Sequence, residues 1–120
     1  MSRVLIGELG TIAGLGLREV LDEQGFDLVA DEGGYLTHTG DTSATVIRRL
    51  VSAAPDCVVL DLDAERGVET AELICRLFPA VKVIACSARE PLMRVYPPFH
   101  HGDYYVTGLS PSLLAEAVRS

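Results

Sequence analysis

The sequence predicts an α/β domain, a (βα)5 doubly wound parallel sheet of five strands with helices on both faces. Three observations predict it. Short apolar runs alternate with helical patterns along all 120 residues. The run Cys57-Val58-Val59-Leu60 is apolar throughout, as a central parallel strand covered on both faces requires. Right-handed crossovers then leave few other arrangements for βα units this short.

Each element has its own signal. Val4-Leu5-Ile6 reads as the first strand, and after Gly10 the set Ala13, Leu17, Val20, Leu21 makes one apolar stripe on a helix ending near Gly25. Phe26 to Ala30 is the second strand. A polar, glycine-containing stretch from Asp31 to Gly40 leads to Asp41 or Thr42, either of which can cap a helix. That helix carries Ile47, Leu50, Val51 and Ala54 on one stripe, and Pro55 ends it. The third strand, Cys57 to Leu60, runs into Asp61-Leu62-Asp63. Ala71, Ile74, Cys75 and Phe78 give the third helix, stopped by Pro79, and Val81 to Cys86 the fourth strand, ending at Ser87. From Arg89 to Gly102 the pattern is less regular: Leu92 and Met93 fit a short helix that Pro97-Pro98 cannot continue. Tyr104-Tyr105-Val106 is the fifth strand. Ser110-Pro111 then caps a last helix with Leu114, Ala117 and Val118 inward.

Composition bounds the function classes. A content of 48% hydrophobic and 22% charged residues, with a mean hydropathy of +0.27, supports one globular domain spanning residues 1–120 and excludes a disordered chain. Seventeen acidic against ten basic residues leave a net charge of −7, without the basic stripe that phosphate backbones need, so direct nucleic-acid binding is not expected. Cys57, Cys75 and Cys86 form no CxxC pair and sit in apolar stretches, which fits buried free thiols. Before Gly7 only Val4-Leu5-Ile6 is apolar, far short of a signal h-region of about 7 to 15 residues or a span of about 20. The expectation is a cytoplasmic protein with no membrane contact.

In doubly wound sheets ligands bind outside the carboxyl ends of the strands, which directs attention to Glu8, Asp61, Asp63, Ser87 and Thr107. Three segments carry a resemblance: Pro55-Asp56-Cys57-Val58-Val59-Leu60-Asp61-Leu62; Phe78-Pro79-Ala80-Val81-Lys82-Val83-Ile84-Ala85-Cys86-Ser87-Ala88; and Tyr104-Tyr105-Val106 leading to Ser110-Pro111. Together they resemble the receiver domain of two-component response regulators, above all the branch fused to a helix-turn-helix output domain. The resemblance spans essentially the whole chain. It implies the flavodoxin-like strand order 2-1-3-4-5, Asp61 as phosphoacceptor, Ser87 and Tyr104 as switch residues, and an acidic pair for Mg²⁺ that falls on Glu8 and Leu9. The lysine of that family falls on Thr107, and the proline after it on Gly108.

These departures matter. Mg²⁺ takes one or two carboxylates with waters and phosphate oxygens, so Glu8 and Asp61, with Asp63 as an extra acid, make a weakened metal site. Phosphorylating Asp61 would put about two negative charges beside Glu8 and Asp63, and Thr107 offers a hydroxyl where a cation is the ordinary offset. The Gly33 to Gly40 loop is long enough to cover the pocket, and Pro97-Pro98 degrades the fourth helix.

The resemblance therefore implies an atypical receiver domain, a signal-transduction and protein-interaction module with weak or absent phosphorylation and weak or absent Mg²⁺. It is not expected to be a turnover enzyme. Its partner is expected to be another protein or a second copy through the fourth-helix to fifth-helix face, and the short last helix fits a longer parent chain with a DNA-binding, transcription-regulating output. One alternative is a conventional Mg²⁺-dependent receiver phosphorylated at Asp61. Another is a small Rossmann-like nucleotide-binding domain, since Gly7-Glu8-Leu9-Gly10-Thr11-Ile12-Ala13 loosely resembles a glycine-rich turn, with Asp31 placed for a ribose hydroxyl. Residue by residue, plainer readings also stand: Asp61 bonding the loop that follows it, Glu8 solvated near a helix start, and His100-His101 on a loop with no convergent partner.

Overall fold

Alternation of apolar side chains at period two lets a strand bury both faces, and this chain uses that throughout its centre. The computed structural model describes residues 3–6, 17–30, 50–52, 54–63, 67–99 and 103–119. Six strands are present: β1 (Arg3–Ile6), β2 (Asp27–Ala30), β3 (Cys57–Asp61), β4 (Lys82–Ser87), β5 (Leu92–Tyr96) and β6 (Tyr105–Gly108). They form one sheet in the order β2-β1-β3-β4-β5-β6. The first four are parallel, with β1 between β2 and β3 and β4 beyond β3. Strand β5 is antiparallel to both of its neighbours, so β6 points the same way as β4.

The helices are α1 (Leu17–Glu23), α2 (Gly67–Leu77) and α3 (Pro111–Arg119), and residues 50–52 are also helical. Two cores lie on opposite faces of the sheet. On one, Val4, Cys57, Val59, Ile84, Cys86, Met93 and Val95 meet Leu21 of α1 and Leu114, Ala117 and Val118 of α3. On the other, Leu5, Val58, Leu60, Val83, Ala85 and Tyr96 meet Leu50 and the α2 residues Ala71 and Ile74. Val4 and Leu5, or Cys57 and Val58, split between the two cores as the alternation demands.

The sheet departs from the sequence-based expectation in one place. The segment read as a broken fourth helix is a strand, so the sheet is six-stranded and mixed where a five-stranded parallel one was expected. A turn over residues 88–91 joins β4 to β5, long enough for a hairpin and far too short for the crossover a parallel strand needs. Met93 and Val95 are buried on one face and Tyr96 on the other, a period-two pattern that the neighbouring prolines obscured. A smaller correction concerns Val51, placed by periodicity on the apolar stripe: it is 67% exposed while Leu50 beside it is 2% exposed. The segments 7–16 and 31–49, including the long loop and Ile47, lie outside the described residues.

Local endings follow sequence chemistry. Gly25 closes α1 with φ +83°, the left-handed C-terminal position that glycine takes without a Cβ penalty. The Ser110 hydroxyl accepts the Leu113 amide at 3.2 Å, an N-cap with Pro111 as the first helical residue. At the far end of α3 the buried Lys82 ammonium donates to the carbonyl oxygens of Ala117 (2.8 Å) and Val118 (3.4 Å), which lie in its last turn. Among the described residues no helix is long and apolar enough to cross a membrane.

Ala54 is less comfortable. Its amide donates to the Leu50 carbonyl at 2.8 Å, and its φ is +47°, a left-handed conformation that costs a residue with a Cβ about 1 to 2 kcal/mol. Ala54→Gly should therefore stabilise the fold by about 0.5 to 1 kcal/mol, after the extra freedom glycine gains in the unfolded chain. Chemical denaturation of the two proteins checks this; a less stable variant would contradict it.

Candidate functional site

The parallel strands β1, β3 and β4 deliver their carboxyl ends to one edge of the sheet, and Asp61 is the last residue of β3. It is 7% exposed. Its Oδ1 accepts the Asp63 amide at 2.9 Å, an aspartate bonding the backbone two residues ahead and so bending the chain at Leu62. Leu62 itself still donates its amide to the Cys86 carbonyl at 2.8 Å, which carries the β3–β4 pairing one residue past the strand.

The bend aims Asp63 at the turn after β4. Its Oδ1 accepts the Ser87 hydroxyl at 2.8 Å, and its Oδ2 accepts the Ala88 amide at 3.1 Å and the Arg89 amide at 3.2 Å. Burial works against the charge on Asp63. The Ser87 hydroxyl, the two amides and the Arg89 guanidinium outweigh it and hold the carboxyl below its ordinary value. Ser87, only 3% exposed, also accepts the Glu90 amide at 3.3 Å, so its single proton is available for Asp63.

Space as well as charge shapes this corner. A Cβ at Gly67, the first residue of α2, would stand 2.5 Å from the Asp61 carbonyl oxygen and 3.0 Å from that of Leu62. The close approach of α2 to the end of β3 is possible because that position has no side chain.

Of the residues singled out by the sequence, Asp61, Asp63 and Ser87 are brought together. Thr107 and Tyr104 are not. Asp61 pairs with Cys86, Cys86 with Met93 and Met93 with Thr107, which puts Thr107 in the same row but three strands away, about 14 Å at ordinary strand spacing. Tyr104 precedes Tyr105, the partner of Val95, and so sits near the row of Tyr96 and Val83. Ser87 is four residues further along, about 13 Å at the rise of a strand. Tyr104 is 46% exposed; its ring lies 5.1 Å from that of Tyr96 and under the Arg94 guanidinium at 4.7 Å. Glu8 lies outside the described residues, as do His100 and His101.

Mg²⁺ requires a near-octahedral set of oxygens. Both Asp63 oxygens are already committed to N–H and O–H donors, and among the described residues no group of three His, Cys, Asp or Glu side chains is placed to hold a metal ion. Among the described residues the Asp63 oxygens are thus held by the protein's own donors. Nor do the cysteines offer a nucleophile, since burial pushes Cys57 and Cys86 up to about 12 and half-buried Cys75 up to about 11.

Sequence reasoning gave Asp63 a metal role and singled out neither Arg89 nor Gly67. The available signals were the Asp-x-Asp at a strand end and a polar turn directly after a strand-end serine.

Two outcomes follow. Gly67→Ala should destabilise by about 2 kcal/mol through steric strain against β3, although alanine is the better helix former by about 1 kcal/mol; urea denaturation reads the sign. Because Asp63 titrates lower in the folded protein, its contribution is complete above the unfolded carboxyl value of about 4 and is lost as pH falls through the folded value. Between about pH 5 and about pH 3 the parent should therefore lose more stability than Asp63→Asn, and parallel curves would contradict that.

Comparison with protein-family models, with curated proteins and with solved structures finds no match to this chain. The chemistry of the strand ends is thus the ground on which a function is assigned.

Proposed function

We propose that the chain is an atypical receiver-like module of signal transduction, acting through protein interaction and not through turnover, in which phosphorylation of Asp61 is weak or absent. The sheet is then a variant of the flavodoxin-like order 2-1-3-4-5 with one antiparallel strand inserted before the last. The observation that carries this reading is the Asp63 carboxylate at the turn after β4. The resemblance gives the strand-end hydroxyl to a phosphoryl group on the neighbouring aspartate, and here an internal anion holds that hydroxyl.

Distance supports the same reading. A cation placed at Thr107 would start about 14 Å from Asp61, so in this sheet that position cannot offset charge there. The surface such a module offers a protein partner or a second copy is built from β5, β6 and α3 in place of a fourth helix. Tyr105 and Leu113 are exposed on it and, with Thr107, Glu116 and Arg119, line a groove of about 490 Å³. Regulation of a transcriptional output in a longer chain and a cytoplasmic setting belong to this reading as well.

The chemistry tested is simple. In a phosphorylated receiver an Asp61 oxygen attacks the phosphorus of an acyl phosphate; the new O–P bond forms as the donor's O–P bond breaks, and the donor leaves as a carboxylate. Intact mass after incubation with acetyl phosphate, with and without Mg²⁺, should show little or no added phosphoryl group, and Thr107→Lys should not raise it. Stoichiometric, Mg²⁺-dependent modification lost in Asp61→Ala would replace this reading with the conventional receiver.

A further inference from the structure

Strand β6 is last in the sheet, and among the described residues β5 is its one neighbour. Which of its groups face outward follows from one bond. The Leu109 amide donates to the Pro91 carbonyl at 2.9 Å, one step beyond the registered pair of Leu92 and Gly108. Hydrogen-bonded pairs alternate along an antiparallel ladder, so Tyr105 and Thr107 bond inward to β5, while the N–H and C=O groups of Val106 and Gly108 point to the open edge. Exposed edges are commonly blunted with lysine, proline or a bulge. The Tyr105–Gly108 strand carries neither lysine nor proline, and its register with β5 is unbroken.

The groove beside the edge selects the partner. Tyr105 and Thr107 are registered with Val95 and Met93, whose side chains lie in the core with α3, so both face that helix. With Leu113 and Glu116 they line the groove of about 490 Å³. Of the two charged side chains there, Arg119 donates to the Gln24 Oε1 and lies over the Phe26 ring at 6.0 Å. Exposed Glu116 makes no hydrogen bond or ion pair among the described residues. The net charge of −7 repels a second copy and attracts a cationic segment.

We propose that β6 and α3 form a docking groove for an extended, basic segment of a partner protein, which adds to the sheet as a further strand antiparallel to β6. Side chains of the segment opposite Tyr105 and Thr107 enter the groove. Lysine or arginine suits that place, because its aliphatic stem lies on Tyr105 and Leu113 while its charged head reaches Glu116. The residues between them donate and accept at Val106 and Gly108. As the face of the proposed module, the groove rests on that reading for its setting; its edge groups do not depend on phosphorylation.

The probe is an acetylated, amidated heptapeptide alternating lysine and threonine, titrated against the protein by amide resonances. Those of Val106 and Gly108 should shift saturably and their hydrogen exchange should slow, while the Tyr105, Thr107 and Leu109 amides, already bonded to β5, stay protected throughout. N-methylation of the threonines removes the amides that meet β6 and should abolish binding. Val106→Pro removes an outward amide and no bond to β5, so it should fold and lose binding at unchanged net charge; general attraction of a basic peptide to an acidic protein would survive in it. Glu116→Lys should weaken binding severalfold. Should Val106→Pro fail to fold, Glu116→Lys and the N-methylated peptide carry the test.

No saturable shift, or binding undiminished by N-methylation or by Glu116→Lys, overturns the proposal. So does a protein that sediments as a dimer and is dispersed by Val106→Pro, which would give the edge to a second copy. Acetyl phosphate labelling keeps the two readings apart. Saturable peptide binding in a protein stoichiometrically labelled at Asp61 supports the groove and overturns weak phosphorylation, and no peptide binding in an unlabelled protein overturns the groove alone.

Discussion

The way the chain leaves β4 constrains everything after it. Residues 88–91 form a turn, and a connection that short can return the chain only antiparallel and only next door. Strand β5 must therefore lie beside β4, which fills the position that the next parallel strand would otherwise take. The last parallel-directed strand, β6, is pushed one place outward to the sheet edge. The exposure of Tyr104, Tyr105 and Val106 is a consequence of that edge position.

The same displacement separates side chains that the sequence seemed to gather. Linear order puts Ser87 and Thr107 after consecutive strands of a βα alternation, which in a parallel sheet would bring both to Asp61. One inserted strand leaves Ser87 beside Asp63 and removes Thr107 to the far edge. Tyr104 moves with β6 and finds Tyr96 and Arg94, both on β5, as its neighbours. The aromatic rings and Arg94 thus support the hairpin, and at the other corner the Asp63 carboxylate is met by the Ser87 hydroxyl, two backbone amides and the charge of the Arg89 guanidinium.

Where sequence and structure agree, the reason is local. Strands β1 to β4 and the helices at residues 67–77 and 111–119 were legible because buried period-two runs, Pro79, and the Ser110-Pro111 cap act within a few residues. Strand β5 was not, because Leu92-Met93-Arg94-Val95-Tyr96 mixes apolar and charged side chains and is followed by two prolines. Its identity as a strand comes from pairing with β4, a non-local fact. At the site, Asp61 was legible from its position at a strand end. The work done by Asp63 was not, since the donors it meets lie 24 to 26 residues away in sequence and depend on the hairpin turn.

Strand β4 then carries a constraint that its apolar run alone would not impose. All six of its residues are buried, and the polar side chains are at its two ends. Lys82 shares the alternation of Ile84 and Cys86, whose side chains lie in the core against α3, and there its ammonium meets the last carbonyls of that helix. Ser87 shares the alternation of Val83 and Ala85 on the opposite face and meets Asp63. A slip of one residue would exchange the faces of every side chain on the strand. The apolar residues would tolerate that better than the ends would, because Val83, Ile84 and Ala85 find an apolar layer on either side. Lys82 would be carried away from the carbonyls that receive its charge, and Ser87 from the carboxylate it bonds, each leaving a buried polar group to be satisfied anew. The two polar ends therefore fix the register of the central strand, and the register fixes which turn amides face Asp63.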